Sequence, residues 1–238
     1  MSVSVQTSLF DHSERRDLGF GAWIEIRSGW LDDVAADTLF TELTDAVPWR
    51  AERRKMYDRV LDVPRLVSFC DLTVSPPPHP AVARLRRRLN DIYAGELGEP
   101  FTSAGFCLYR DGTDSVAWHG DTIGRSSTED TMVAIVSLGA TRMFAMRPRG
   151  GGASLRADDA AEGRGGGGAR KSALRADDAA EGRGGGGARK SALRLPQCHG
   201  DLLVMGGSCQ RTWEHAVPKT SAPVGPRMSI QFRPRNVR

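Results

Sequence analysis

From Phe101 to the C-terminus the chain carries five short apolar runs, AGFCLYR, TMVAIVSLG, TRMFAMRP, DLLVMGG and RMSIQFRPR, separated by glycine, proline and Asp-Gly turn signals. β-Branched and aromatic residues crowd these runs and no helical period intervenes, so they predict strands joined without crossover helices. A succession of this kind folds as an antiparallel sandwich or jelly roll, a mainly β member of the α+β class. The N-terminal half supplies helices to cover it. WIEIRSGWL has strand character, and Asp32 or Asp33 then caps a helix with Val34, Leu39, Phe40 and Leu43 as its apolar positions, closed by Pro48. After Pro80, the residues Val82, Leu85, Leu89, Ile92, Tyr93 and Leu97 recur at helical spacing, with Gly98 as the stop. This second helix is expected to pack under the sheet.

A perfect tandem repeat interrupts the strand region. RADDAAEGRGGGGARKSAL fills 156–174 and returns unchanged at 175–193, carrying 10 of the 27 glycines. Two glycine-rich copies without an apolar face cannot stack as a solenoid, and deleting them lets GGGASLRLPQCHGDLLVMGG read on smoothly. The stretch 156–193 is therefore read as a disordered insert in a surface loop of one domain spanning 1–238. A basic loop that tracks DNA is the second reading, since each copy holds four basic residues against three acidic.

Composition bounds the function classes. A chain of 238 residues with 39% hydrophobic content can bury one sizeable core, and no run approaches the length of a membrane span or a signal peptide. The expectation is a soluble monomer without a membrane partner, located in the cytoplasm. Cys70, Cys107, Cys198 and Cys209 show no CxxC spacing and read as reduced core or strand residues. A net charge of +4 is compatible with a nucleic-acid partner without requiring one.

Metal chemistry is suggested by SVAWHGDTIGR. His119 and Asp121 are two apart, so on an extended segment both side chains leave the same face. His215, in RTWEHAVPK, is the natural third ligand, and two imidazoles with one carboxylate suit iron(II) because positions remain open for a co-substrate and oxygen. Spacing alone leaves a competitor, since His199, Gly200 and Asp201 spell HGD again, although Gly200-Asp201 reads well as a turn entering a strand. His12 and His79 are read as solvated.

The last strand adds a second clue. In RMSIQFR, Met228, Ile230 and Phe232 alternate onto one face, and Arg227, Ser229, Gln231 and Arg233 share the other. The two arginine Cα atoms stand about 20 Å apart at roughly 3.3 Å per residue, and their long arms could converge on a short dicarboxylate.

Together, LYRDGTDSVAWHGD, IVSLGATRMFAMRPR, GDLLVMGGSCQRTWEHAVPK and PRMSIQFRPR resemble the AlkB family of nucleic-acid dealkylating dioxygenases, over most of the chain outside the repeat. The resemblance implies a double-stranded β-helix in which His119, Asp121 and His215 bind iron(II). Arg227 and Arg233 then grip the carboxylates of 2-oxoglutarate, and Tyr109 hydrogen-bonds it. The family's usual asparagine two residues before that tyrosine is Cys107 here, and Ile123 stands where many members place an acidic base-reading residue.

The implied activity is oxidative demethylation of damaged bases with O2 and 2-oxoglutarate, releasing aldehyde, succinate and CO2, on alkylated DNA in the nucleoid or on RNA. Phe69 aligns with the family's pocket aromatic, against simple core packing. Trp118 is read as core, facing away from the metal. The basic stretch from Arg50 to Arg65 corresponds to the substrate lid, where Met56 or Tyr57 could wedge into the base stack and Arg53 and Arg54 could meet phosphate, against a solvated loop. Two other readings stay open: the same chemistry on RNA, a protein or a small molecule, and a non-enzymatic DNA-binding relic.

Overall fold

The computed structural model of the chain describes residues 13–56, 59–121, 124–150 and 192–237, and no side chains within 53–62. Most of the repeat, with His12, Tyr57 and Ile123, lies outside the described residues, as do the side chains of Arg53, Arg54 and Met56.

Among the described residues, twelve strands form two antiparallel sheets. The larger holds β1 (Ser13–Gly19), β2 (Ala22–Arg27), β3 (Arg50–Met56), β4 (Arg59–Asp71), β5 (Ser103–Tyr109), β7 (Val133–Gly139), β10 (Leu202–Gly207) and β12 (Arg227–Arg233), in the order β1-β2-β10-β7-β12-β5-β4-β3. The smaller runs β6 (Val116–His119), β11 (Trp213–Val217), β8 (Arg142–Pro148) and β9 (Leu193–Gln197). These are the two walls of a jelly roll. The repeat region lies between β8 and β9, which pair from Arg142↔Gln197 to Met146↔Leu193.

Period-two alternation divides the apolar residues of the large sheet between two cores. On its outer face, Phe106, Leu108, Val136, Leu138, Met228, Ile230 and Phe232 pack against two helices. On its inner face, Ile135, Leu203 and Met205 meet Phe144, Met146, Leu195 and Val217 of the small sheet. A one-residue slip in β12 would exchange the arginine face for the helix-packing face, so burial on both sides pins the register.

The helices begin and end as the caps predict. In α1 (Asp33–Ala46), the Asp32 carboxylate accepts from Ala35 N at 2.9 Å and satisfies an otherwise unpaired first-turn amide. Its buried stripe is Ala36, Leu39 and Leu43; Val34 lies on the opposite face and points to solvent. In α2 (Pro80–Leu97), Pro80 opens the first turn and Gly98 closes the helix in the left-handed conformation at φ 77°. Ala81, Val82, Leu85, Leu89 and Tyr93 are buried, whereas Ile92 lies on the exposed side. His79 is not a solvated residue: its ring caps α2 by accepting from Ala81 N at 3.3 Å and reaches Glu42 at 3.5 Å. The basic stretch from Arg50 to Arg65 is a hairpin, β3 on β4, that extends the edge of the large sheet. All four cysteines are free thiols, and Cys198 is exposed beyond the end of β9 rather than in a strand or core. Among the described residues no helix is long and apolar enough to cross a membrane.

Candidate metal and co-substrate site

Strand pairing assembles a metal-ligand constellation from two distant segments. His119 ends β6 and lies directly opposite His215 on β11, with ring centroids 4.3 Å apart, and Asp121 follows two residues later. One ligand atom from each of His119, Asp121 and His215 falls within 4.8 Å of the other two. Gly120 permits the tight turn between them, because a Cβ there would meet Gln210 O at 2.6 Å and Arg149 Nη2 at 2.8 Å. The Asp121 backbone is held from both sides: its N–H donates to Gln210 Oε1 at 3.1 Å, and the Ser126 hydroxyl donates to its carbonyl. His119 Nδ1 sits 2.8 Å from Ala117 O, which assigns that nitrogen as a donor and leaves Nε2 for a ligand. His215 stacks on Phe144 at 5.2 Å.

Electrostatics favour the deprotonated forms a metal requires. Burial opposes ionisation of Asp121, but Arg233 and the two histidines outweigh it and hold the carboxyl at about 2. Burial, with His119 and Arg233, depresses His215 to about 3, against the pull of Asp121, so its imidazole is neutral at pH 7.

A cavity of about 90 Å³ adjoins the triad, lined among others by Tyr109, Ile135, Arg227, Ser229, Gln231 and Arg233. The alternation read in β12 therefore carries both arginines onto the cavity side. Arg227 is 1% exposed; Nη2 donates to Ser137 Oγ at 2.9 Å, and its guanidinium lies 5.3 Å from the centre of the Tyr109 ring. Its Nε and Nη1 are buried without a hydrogen-bond partner among the described residues. Leaving charged donors unpaired is costly, so these N–H groups mark a seat for an anion. Arg233 instead engages Asp121 Oδ2, through Nε at 2.8 Å and Nη2 at 2.7 Å. That contact gives it a task absent from the sequence reading, bracing the metal-side carboxylate. The donor set and the unpaired Arg227 N–H groups fit iron(II) and a dicarboxylate.

Cys107 lines the cavity, its thiol 4.0 Å from Gln231 Oε1. Phe69 pairs with Gly105 in register and is 51% exposed, so it is not a core residue. Trp118 is half-buried beneath the Arg147 guanidinium at 4.3 Å, outside both cores, which corrects its reading as a core residue.

The second HGD is a turn. His199 Nδ1 accepts from Gly139 N at 2.8 Å and its other nitrogen faces Asp37 at 3.2 Å, while Asp201 accepts from Gly29 N at 2.9 Å and Cys198 N at 2.8 Å. Gly200 has φ 79°, and a Cβ would meet Leu31 O at 2.4 Å. Asp201→Ala should therefore lower stability by about 2–3 kcal/mol, measured by urea unfolding, by stranding two backbone donors. Its metal affinity should match wild type; a lost metal site would mean that the second HGD takes part in binding.

Spacing did not reveal Gln210, Ser126 or Arg142. Arg142 is 3% exposed and spends its donors on the carbonyls of Asp111, Asp114 and Pro218, tying the loops beside the site.

Comparison with known proteins agrees with this geometry. The sequence model described as the 2OG-Fe(II) oxygenase superfamily matches residues 24–233. Among curated relatives, alpha-ketoglutarate-dependent dioxygenase alkB homolog 3 is 29% identical in Bos taurus and 28% in Homo sapiens, each over 86% of this chain. DNA oxidative demethylase ALKBH2 of Homo sapiens is 26% identical over 89% of this chain and 76% of its own. The chain spans 63% of the length of the alkB homolog 3 proteins. In fold it is similar to the solved structure of OsALKBH1, with TM-score 0.51 and 14% identity over 93% of this chain and 100% of that one. A prolyl hydroxylase from Trichoplax adhaerens gives TM-score 0.54 and 8% identity over 89% and 82%. The chain belongs to the 2OG-Fe(II) oxygenase superfamily and is of its AlkB type.

Proposed function

We propose that this chain is an oxidative demethylase of alkylated nucleic acid, with His119, Asp121 and His215 as iron(II) ligands and Arg227 as the anchor of 2-oxoglutarate. The observation that carries the reading is the pairing of a His-Asp-His triad with buried, unpartnered guanidinium N–H groups in one cavity. When bound, iron(II) and 2-oxoglutarate supply an O2-driven oxidation that places one oxygen in an N-alkyl C–H bond and the other in succinate, with loss of CO2. The hydroxylated carbon is a hemiaminal, which breaks its C–N bond to release an aldehyde and restore the base.

The chain's own residues provide placement. Arg233 orients Asp121, and Gln210 and Ser126 fix the Asp121 backbone, so the carboxylate is set before metal arrives. Tyr109 and Arg227, both almost fully buried, line the cavity, and its apolar walls at Ile135, Phe144 and Val217 limit water at the reacting centre. Phe69 shares the row of Gly105 and Gln231 across three strands, which puts an exposed aromatic on the site side of the sheet where a flipped base can stack. The β3–β4 hairpin carries Arg53, Arg54 and Met56, which with Tyr57 are the residues proposed to meet phosphate and stack. DNA is the favoured substrate, with the protein acting as a cytoplasmic monomer.

The test is formaldehyde and succinate release from N-methylated single-stranded DNA, duplex DNA and RNA. Turnover on DNA, abolished in His119→Ala, is expected. Turnover on RNA alone would move the substrate class, and none on any of the three would sink the proposal.

A further inference from the structure

We infer that Arg65 is a third arginine of the co-substrate cavity, holding with Arg227 the carboxylate that lies farthest from the metal; this rests on the function proposed above. In sequence Arg65 belongs to the basic stretch read as a lid. In the fold it sits on β4 one residue before Leu66, which pairs with Leu108, while Tyr109 follows Leu108 and pairs with Arg227. Arg65, Tyr109 and Arg227 thus form one row across three strands, and all three line the cavity.

Counting donors separates this arginine from its structural neighbour. Arg142 satisfies itself on three backbone carbonyls. Arg65 has one such contact, Nη1 to Ser115 O at 3.0 Å, and its Nε is buried without a partner among the described residues. With Nε and Nη1 of Arg227, these two cavity-lining arginines carry three buried guanidinium nitrogens without a partner among the described residues. Two cations facing one space repel each other, and a carboxylate, which offers about four lone-pair sites, resolves both the repulsion and the missing acceptors. A purely structural role for Arg65, tying β4 to Ser115 just ahead of the metal strand, is the competing account.

Equilibrium binding to the full chain loaded with Mn(II) tests it by calorimetry, using 2-oxoglutarate and 2-oxopentanoate, which has the same five carbons without the second carboxylate. Arg65→Gln should weaken 2-oxoglutarate by about tenfold or more while leaving 2-oxopentanoate and Mn(II) binding at wild-type strength. Arg65→Lys, which keeps the charge and most of the packing but loses the planar fork, should fall between. Wild-type affinity for 2-oxoglutarate in both variants, or equal loss of both oxo acids, would overturn the inference. Arg227→Gln separates the two levels. If it loses 2-oxoglutarate while the Arg65 variants do not, only the role of Arg65 fails; if Arg227→Gln also binds normally, the co-substrate reading of the cavity fails.

Discussion

Asp121→Ala should abolish turnover and also lower the stability of the metal-free protein by about 3 kcal/mol at pH 7. The two effects have separate causes. Removing the carboxylate deletes one proposed metal ligand, leaving two imidazoles. It also strands Arg233, whose side chain is 14% exposed and whose Nε and Nη2 both rest on Asp121 Oδ2. Breaking a buried ion pair from one side leaves an uncompensated charge, which costs more than the pair contributes. Urea unfolding of the chelator-treated protein measures the second effect and metal titration the first. The stability deficit has a pH signature. The Asp121 carboxyl in the folded state is held at about 2, below its value near 4 in an unfolded chain. Its contribution is fully present above about pH 4 and is lost as pH falls through about 2, so wild type and variant should converge in acid. Unaltered metal affinity in the variant would remove Asp121 from the site.

Arg227→Met should have the opposite signature. Methionine replaces much of the apolar stem of a side chain that is 1% exposed, so the packing between Tyr109 and Ser137 largely survives. What disappears is a buried cation with two unpartnered nitrogens, and the metal-free protein should hold its stability or gain about 1 kcal/mol. The loss falls on the co-substrate: affinity for 2-oxoglutarate should drop by about a hundredfold, the worth of a charge-assisted paired contact. Thermal unfolding of the metal-loaded protein with and without 2-oxoglutarate shows both effects. Wild type should be stabilised by ligand as mass action requires, and the variant much less at the same ligand concentration. A variant that unfolds earlier than wild type without ligand would mean that Arg227 serves the fold first and the ligand second.

Local physics made much of this legible from the chain. The Asp32 cap, the Gly98 stop and the alternation of β12 each follow from a few adjacent residues, and all appear in the structure. The same alternation puts Arg227 and Arg233 on one face without reference to any partner strand. What escaped depends on contacts between distant segments. His119 and His215 meet because β6 pairs with β11, 96 residues away in sequence, and periodicity does not name a partner. The rival HGD was settled by Gly139 and Asp37, which no spacing rule brings to His199. Val34 and Ile92 fit an apolar helical count yet face solvent, since hydropathy records composition and not the angular width of the buried stripe. Arg65 sits in a basic run, and charge runs read as surface; only the register of β4 on β5 turns it toward the cavity.

Strand β12 is bonded to β7 on one side and β5 on the other along nearly its whole length. A strand locked from both flanks cannot stretch, slide or bow without breaking two ladders at once, so the separation between Arg227 and Arg233 is set by the backbone repeat and not by side-chain adaptation. The sheet then holds the two anchor points at a fixed interval, Arg227 tied to Ser137 at one end and Arg233 tied to Asp121 at the other. If Arg227 anchors 2-oxoglutarate as proposed, diacids one carbon shorter or longer should bind more weakly, because no rearrangement within the sheet can move Arg227 relative to the metal-side carboxylate that Arg233 braces.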